Sequence, residues 1–157
     1  MTRRDVPWWK ISGAAAVMVA VGVVAWIIDS GTIVPNEIQP ISWHKQSCAH
    51  CQMLIAEPLY AAQLITERGE VLSFDDPGCA MRYLDDHQPQ IHRLWFHHGR
   101  DPRWLAVEQV GFVANGTTPM GYGLVAVDRD SPGAIDWMAA RSFVSAHSVG
   151  ASAEVQR

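Results

Sequence analysis

The chain has 157 residues, a formal net charge of −4 and 18 % charged residues. That length allows one modest domain with an appendage, and the apolar content is ordinary for a globular protein. The negative balance, the scarcity of Lys and the lack of a basic patch on the body exclude nucleic acid as a partner.

Residues 1–10 carry Arg3, Arg4 and Lys10 and read as a short cytoplasmic N-terminus. Residues 11–28 are eighteen residues without a charge, followed by Asp29. As a helix they would span roughly 27 Å, close to the hydrocarbon thickness of a bilayer. Under the positive-inside rule, everything after Asp29 lies outside the cytoplasmic membrane, and Trp8, Trp9 and Trp26 fall where aromatic belts form. The competing reading is a cleaved secretory signal. The apolar run is long for that, and it ends in Trp-Ile-Ile-Asp rather than a small-x-small site. An uncleaved single-pass anchor is the preferred reading, with the body in an oxidising space such as the periplasm. Bare thiols persist there only when metal-bound, protected or reduced by a partner.

Residues 29–46 contain Gly31, Pro35, Asn36 and Pro40 without helical or alternating period, and read as a linker. His44, near its end, is a solvated residue or an approach to the stretch that follows. That stretch, Ser47-Cys48-Ala49-His50-Cys51-Gln52-Met53, is the centre of the chain's chemistry. Cys48 and Cys51 can turn onto one point, and Met53 adds a thioether; such soft donors favour Cu(I) over hard cations. A structural zinc site needs four closed ligands, and no second Cys-x-x-Cys or His-x-x-x-His exists here. A thioredoxin-type redox pair is the more serious rival, and a loop disulfide is the plainest reading. With Cys79 the thiols number three, and an odd count outside the cytoplasm implies a free or metal-bound thiol.

Further on, apolar runs over Leu54–Thr66 and Val71–Asp75 flank a charged turn at Glu67–Glu70 with Gly69, which predicts a β-hairpin. Asp75-Asp76-Pro77-Gly78 supplies an N-cap and a first-turn proline for a helix from Cys79 to Asp86 that stops near His87 and Pro89. Ile91–His97, Trp104–Val107 and Val110–Val113 read as strands, with His97 and His98 facing solvent at a strand end. Gly121–Asp128 follows as strand. Asp130-Ser131-Pro132-Gly133 then leads into a helix through Trp137 to His147. The expected fold is α+β, a strand–strand–helix unit used twice about 55 residues apart, near the span of repeat periods, with both units sharing one core. The body is residues 47–147, and 148–157 is a tail that frays.

Thr118-Pro119-Met120-Gly121-Tyr122-Gly123 holds a methionine on a loop, outside any periodic apolar run. Met120 is either a hairpin cap or a sulfur donor that closes the site from the other half. Cys79, beside a helix N-terminus, has a lowered pKa there if it is exposed. It is then a third thiolate ligand; as a buried small residue it needs no role. His50, His97 and His98 are weaker candidates.

Four stretches in this order, Cys48-Ala-His-Cys-Gln-Met53, Ala61-Ala-Gln-Leu64, Phe74-Asp-Asp-Pro-Gly-Cys79 and Thr118-Pro-Met-Gly-Tyr-Gly123, resemble the NosL family, accessory proteins of nitrous-oxide reductase in denitrifying bacteria. The resemblance covers about residues 47–127. It implies two related ββα-type units and a Cu(I)-binding metallochaperone rather than an enzyme. It also implies an apo copper enzyme as recipient, and sulfur ligation matching Cys48, Cys51, Met53 and Met120. Two departures stand out. Family members are commonly lipoproteins, whereas this chain offers an apolar anchor and no lipid-accepting cysteine. Gln52 also stands where Gly is usual before the methionine. A membrane anchor would raise the carrier's effective concentration beside a membrane transporter complex. The rival function is a periplasmic thiol-disulfide oxidoreductase using Cys48 and Cys51. An organic-ligand-binding domain has no feature in its favour.

Overall fold

The computed structural model describes residues 16–24, 34–114 and 117–154, with side chains as far as 146, in two units that divide between Ile33 and Val34. In the first unit, residues 16–24 form a helix (α1) whose Val17, Met18, Val19, Val21, Val23 and Val24 are exposed. The anchor expected over 11–28 reaches beyond the described residues at both ends. Arg3, Arg4, Trp8, Trp9, Lys10, Trp26 and Asp29 lie outside them altogether. Among the described residues, no helix is long and apolar enough to cross a membrane.

The second unit is built on β1 (Ala62–Thr66), β2 (Val71–Phe74), α2 (Pro77–His87), β3 (Ile91–His97), β4 (Trp104–Ala106), β5 (Val110–Ala114), β6 (Leu124–Asp128) and α3 (Trp137–Glu154). The fold is α+β with two antiparallel sheets. One has the order β2-β1-β3-β4; the other is the hairpin β5-β6. The expected first hairpin forms with Leu64 opposite Leu72, and its charged turn is closed by Gly69 at φ 80°, a backbone state that costs glycine little. All five residues of β1 are buried, as befits a strand covered on both faces. The expected helix begins two residues early, with Asp76 as N-cap and Pro77 in its first position. It ends at His87 because Gln88 turns left-handed, with φ 46°.

The order β1-β2-α2 recurs as β5-β6-α3, with β3 and β4 inserted between. The sheets do not pair edge to edge; side chains join them instead. Phe96 on β3 meets Phe112 on β5 edge-on at 5.0 Å, and the Trp137 ring lies 5.5 Å from Phe96. One buried cluster therefore runs from Cys48 to Val144. Arg141 on α3 pairs with Asp85 on α2, which also accepts from the Ser145 hydroxyl at 3.1 Å.

Three expectations are revised. Pro132-Gly133 does not open α3 as Pro77-Gly78 opens α2. Gly133 has φ 76°, outside the right-handed helical region, and Ile135 pairs in extended form with Phe112. The helix waits for Trp137, with the Asp136 carboxylate accepting the Ala139 N–H at 2.8 Å. At its other end α3 runs on to Glu154 rather than stopping near His147. Finally, His97 and His98 are buried, not solvent-facing. The His98 ring Nδ1 accepts the Arg100 and Asp101 N–H groups at 3.2 and 3.0 Å, so the imidazole replaces water as the partner of a tight turn.

Part of the expected linker belongs to the body. The Gln63 side chain, fully buried on β1, accepts the Gln39 N–H at 2.7 Å and donates to the Gln39 carbonyl at 3.0 Å and to Ser73 Oγ at 3.2 Å. A buried amide that meets a peptide on both its polar edges acts like a short strand pairing. Ile41 and Trp43 pack on the core just beyond this point. Residues 39–43 are therefore seated on the body before the chain reaches the cysteines.

Candidate metal centre

Residues 46–55 close on themselves as a narrow loop. Ser47 bridges Leu54, Cys48 N–H donates to the Met53 carbonyl at 2.7 Å, and Gln52 N–H donates to the Cys48 carbonyl at 3.1 Å. Ala49 N–H reaches the Ser73 carbonyl at 2.9 Å, which fastens this loop to the end of β2. The next residues along β2 are Phe74, Asp75 and the start of α2. The junction thus delivers Asp75 and Cys79 to the place where the loop delivers Cys48 and Cys51. The three sulfurs and a carboxylate oxygen of Asp75 all lie within 4.8 Å of one another.

Burial divides the group. Cys48 and Cys79 are inaccessible and Asp75 is nearly so, while Cys51 is half-buried. All three thiols are free, and Cys51 Sγ donates to Asp75 Oδ1 at 3.5 Å. A hydrogen bond from the Cys79 thiol pulls Cys48 down to about 7, helped by backbone donors around Cys51, Asp75 and His50. Cys79 itself is pushed far up, first by that shared proton and then by burial. The expected lowering at the helix N-terminus was conditional on exposure. With the side chain sealed in, the proton it shares and desolvation outweigh the helix dipole. Burial likewise pushes Cys51 up to about 11.

Met53, whose carbonyl accepts the Cys48 N–H, has 56 % of its surface exposed. Met120 is partly buried against the core. Its loop is held to α2 by Asp76, whose Oδ2 accepts the Met120 N–H at 3.0 Å while Oδ1 accepts Gly78 N–H at 2.8 Å. The Pro-Met-Gly loop is therefore tied to the helix that carries Cys79. His50 lies 4.0 Å from Asp86 and burial lowers its pKa; His44 is exposed. His98 serves the turn described above, and the His97 ring Nδ1 bonds the His98 carbonyl at 2.9 Å.

Sequence reasoning placed Asp75 only as a helix cap. A doublet in which Asp76 takes the cap leaves the other carboxylate free to meet the thiols, and that was the available signal. The lack of a second paired motif does not bar zinc, because the fold assembles four donors from separate stretches. Gln52 has φ 65°. This left-handed state costs a non-glycine residue roughly 1–2 kcal/mol, which accounts for glycine being usual there in the family resembled. Gln52→Gly is expected to raise stability by about 0.5–1 kcal/mol in urea unfolding, the strain relieved less the entropy glycine loses.

No protein-family model matches the chain, and no curated protein does. Among solved structures, the crystal structure of the copper chaperone NosL from Shewanella denitrificans matches with a TM-score of 0.53 and 21 % identity, over 71 % of this chain and 87 % of that one. The likeness is one of fold, and it agrees with the NosL resemblance carried by the four sequence motifs.

Proposed function

We propose that the chain is a Cu(I) carrier of the NosL family, held at the cytoplasmic membrane by residues 11–28, with its body in the periplasm. It would hand copper to an apo copper enzyme, nitrous-oxide reductase or a relative, beside a membrane transporter complex. The observation that carries this reading is the meeting of three free thiols from two separate stretches, mostly shielded from water. Thiolates are the ligands Cu(I) prefers, and two or three of them satisfy it. Cys48, Cys51 and Cys79 would hold the ion, with the thioethers of Met53 and Met120 as neutral, more weakly held donors at the rim. Transfer proceeds by exchange of one sulfur ligand for another, and no covalent bond of the protein breaks.

The oxidoreductase rival is disfavoured by the placement of its charges. A redox pair works through an exposed thiolate of low pKa. Here the low-pKa thiol, Cys48, is buried, and the accessible one, Cys51, is pushed up.

A second reading is favoured by Asp75. Three thiolates and one carboxylate oxygen make a tetrahedral set suited to Zn(II). X-ray absorption on the full chain loaded with each metal separates the two. The carrier reading expects Cu(I) surrounded by two or three sulfurs near 2.2–2.3 Å (about the range of metal–thiolate bonds) without an oxygen. A chain that takes Zn(II) as S₃O and fails to displace it with Cu(I) would belong to the second reading.

A further inference from the structure

The four donors are unequally reachable, and the reason is visible in the packing around α2. A side-chain carbon at Gly78 would meet the Tyr122 ring at 2.2 Å, so this glycine is the seat on which the ring lies. Gly78 precedes Cys79. The loop carrying the ring is anchored twice. Asp76 accepts the Met120 N–H, and Thr118 Oγ accepts the Gly123 N–H at 3.1 Å. Tyr122 thus lies against the first turn of α2, on the residue next to Cys79. Cys48 and Cys79 have no accessible surface, and Cys51 does.

We propose that exchange at this centre is one-sided: the metal enters and leaves through Cys51, while Cys48 and Cys79 hold it from behind, shielded by the Tyr122 ring. This rests on the carrier reading above. It names the kind of partner that fits, a soft ligand on a narrow protruding group such as a cysteine or methionine side chain at a loop tip. Tyr122 is a positioning residue, acting through its coverage of the two inner thiols. A broad chelating surface would find only one sulfur to attack.

The test is pulsed labelling of the full-length chain, free of metal, with N-ethylmaleimide and mass mapping of each cysteine. Cys51 is expected to label about tenfold or more faster than Cys48 and Cys79, because protected groups react only through local opening. Ionisation alone would put Cys48 first, so the order separates access from acidity. Tyr122→Ala is expected to speed labelling of Cys48 and Cys79 by about tenfold, with Cys51 little changed. Tyr122→Phe, which keeps the ring, should retain the wild-type order. The wild-type order carries the test even where Tyr122→Ala does not fold. Cys48 or Cys79 labelling first in the wild type, or an unchanged pattern in a folded Tyr122→Ala chain, overturns one-sided exchange. Loading with Cu(I) should then protect Cys51. A chain that takes up no Cu(I) overturns the carrier reading whatever the labelling order. A chain that takes it up with the order reversed overturns only the proposal made here.

Discussion

Replacing Cys48 and Cys51 together by Ser is expected to lower Cu(I) affinity by more than about a hundredfold in a competition titration with a Cu(I) chelator. Loss of a single outer-shell partner already costs metal sites roughly 10–100-fold, and here two of three sulfurs disappear. Cys79 would remain, sealed beside Asp75, a hard oxygen donor that Cu(I) does not favour. The wild-type affinity should also rise with pH. Thiolates are the binding form, so each protonated thiol must give up its proton to the solvent. Cys48 sits at about 7, whereas Cys51 is held near 11 and Cys79 is raised further. The apparent affinity is therefore still climbing between pH 7 and 9, and proton release on loading can be measured directly in weak buffer. An unchanged affinity in the double Ser variant would end the carrier reading.

Asp76→Ala is expected to cost about 3–4 kcal/mol, at the low end of the contributions that follow. Loss of a helix N-cap accounts for about 1 kcal/mol, and each buried donor left without its acceptor adds about 1–3 kcal/mol. Two such donors are at stake, Met120 N–H and the Thr118 hydroxyl. At roughly 3–4 °C per kcal/mol for a domain of this size, the melting temperature should fall by about 10–15 °C. Asp76→Asn keeps one acceptor oxygen and should lose about half as much. The pH dependence has a definite sign. Burial raises the Asp76 carboxyl above its ordinary value, against the pull of its three donors. The folded state therefore holds this proton more tightly than the unfolded chain does. The stability linked to it is full below the ordinary carboxyl pKa and is lost as pH rises through the raised value. Asp76→Asn removes that slope. A melting curve in which Asp76→Ala matches wild type would show that the Pro-Met-Gly loop is held by something other than this carboxylate.

The tight loop at the cysteines depends on a detail that links stability to the site. Its hydrogen bonds satisfy the backbone at Cys48 and Met53, yet Gln52 stays in a left-handed state. Strain of this kind persists where surrounding bonds over-determine the conformation, and the attachment of Ala49 to Ser73 supplies one of them. The same Ser73 meets Gln63, which grips the Gln39 peptide. The segment around Gln39 is thus bonded through β1 and β2 to the loop that bears Cys48 and Cys51.

By itself the amino-acid order determined the local pieces. Two apolar runs about the charged turn Glu67–Glu70 made the first hairpin, and Asp76-Pro77 opened α2 where those residue types begin helices. The Cys48–Met53 run marked the chemistry, and the spacing of its sulfurs pointed to a soft ion. These features were readable because each depends on interactions between near neighbours in the chain. What only the tertiary structure decided depends on distant pairings. Asp75 met the thiols because β2 ends beside the loop that Ala49 fastens to it. Pro132-Gly133 looked like a helix opening, but pairing of Ile135 with Phe112 held the backbone extended. His98 was drawn inside by a turn whose amides needed an acceptor, and the buried His97 ring bonds the His98 carbonyl. The inversion of acidity between Cys48 and Cys79 followed from burial and one shared proton, neither of which can be read from spacing alone.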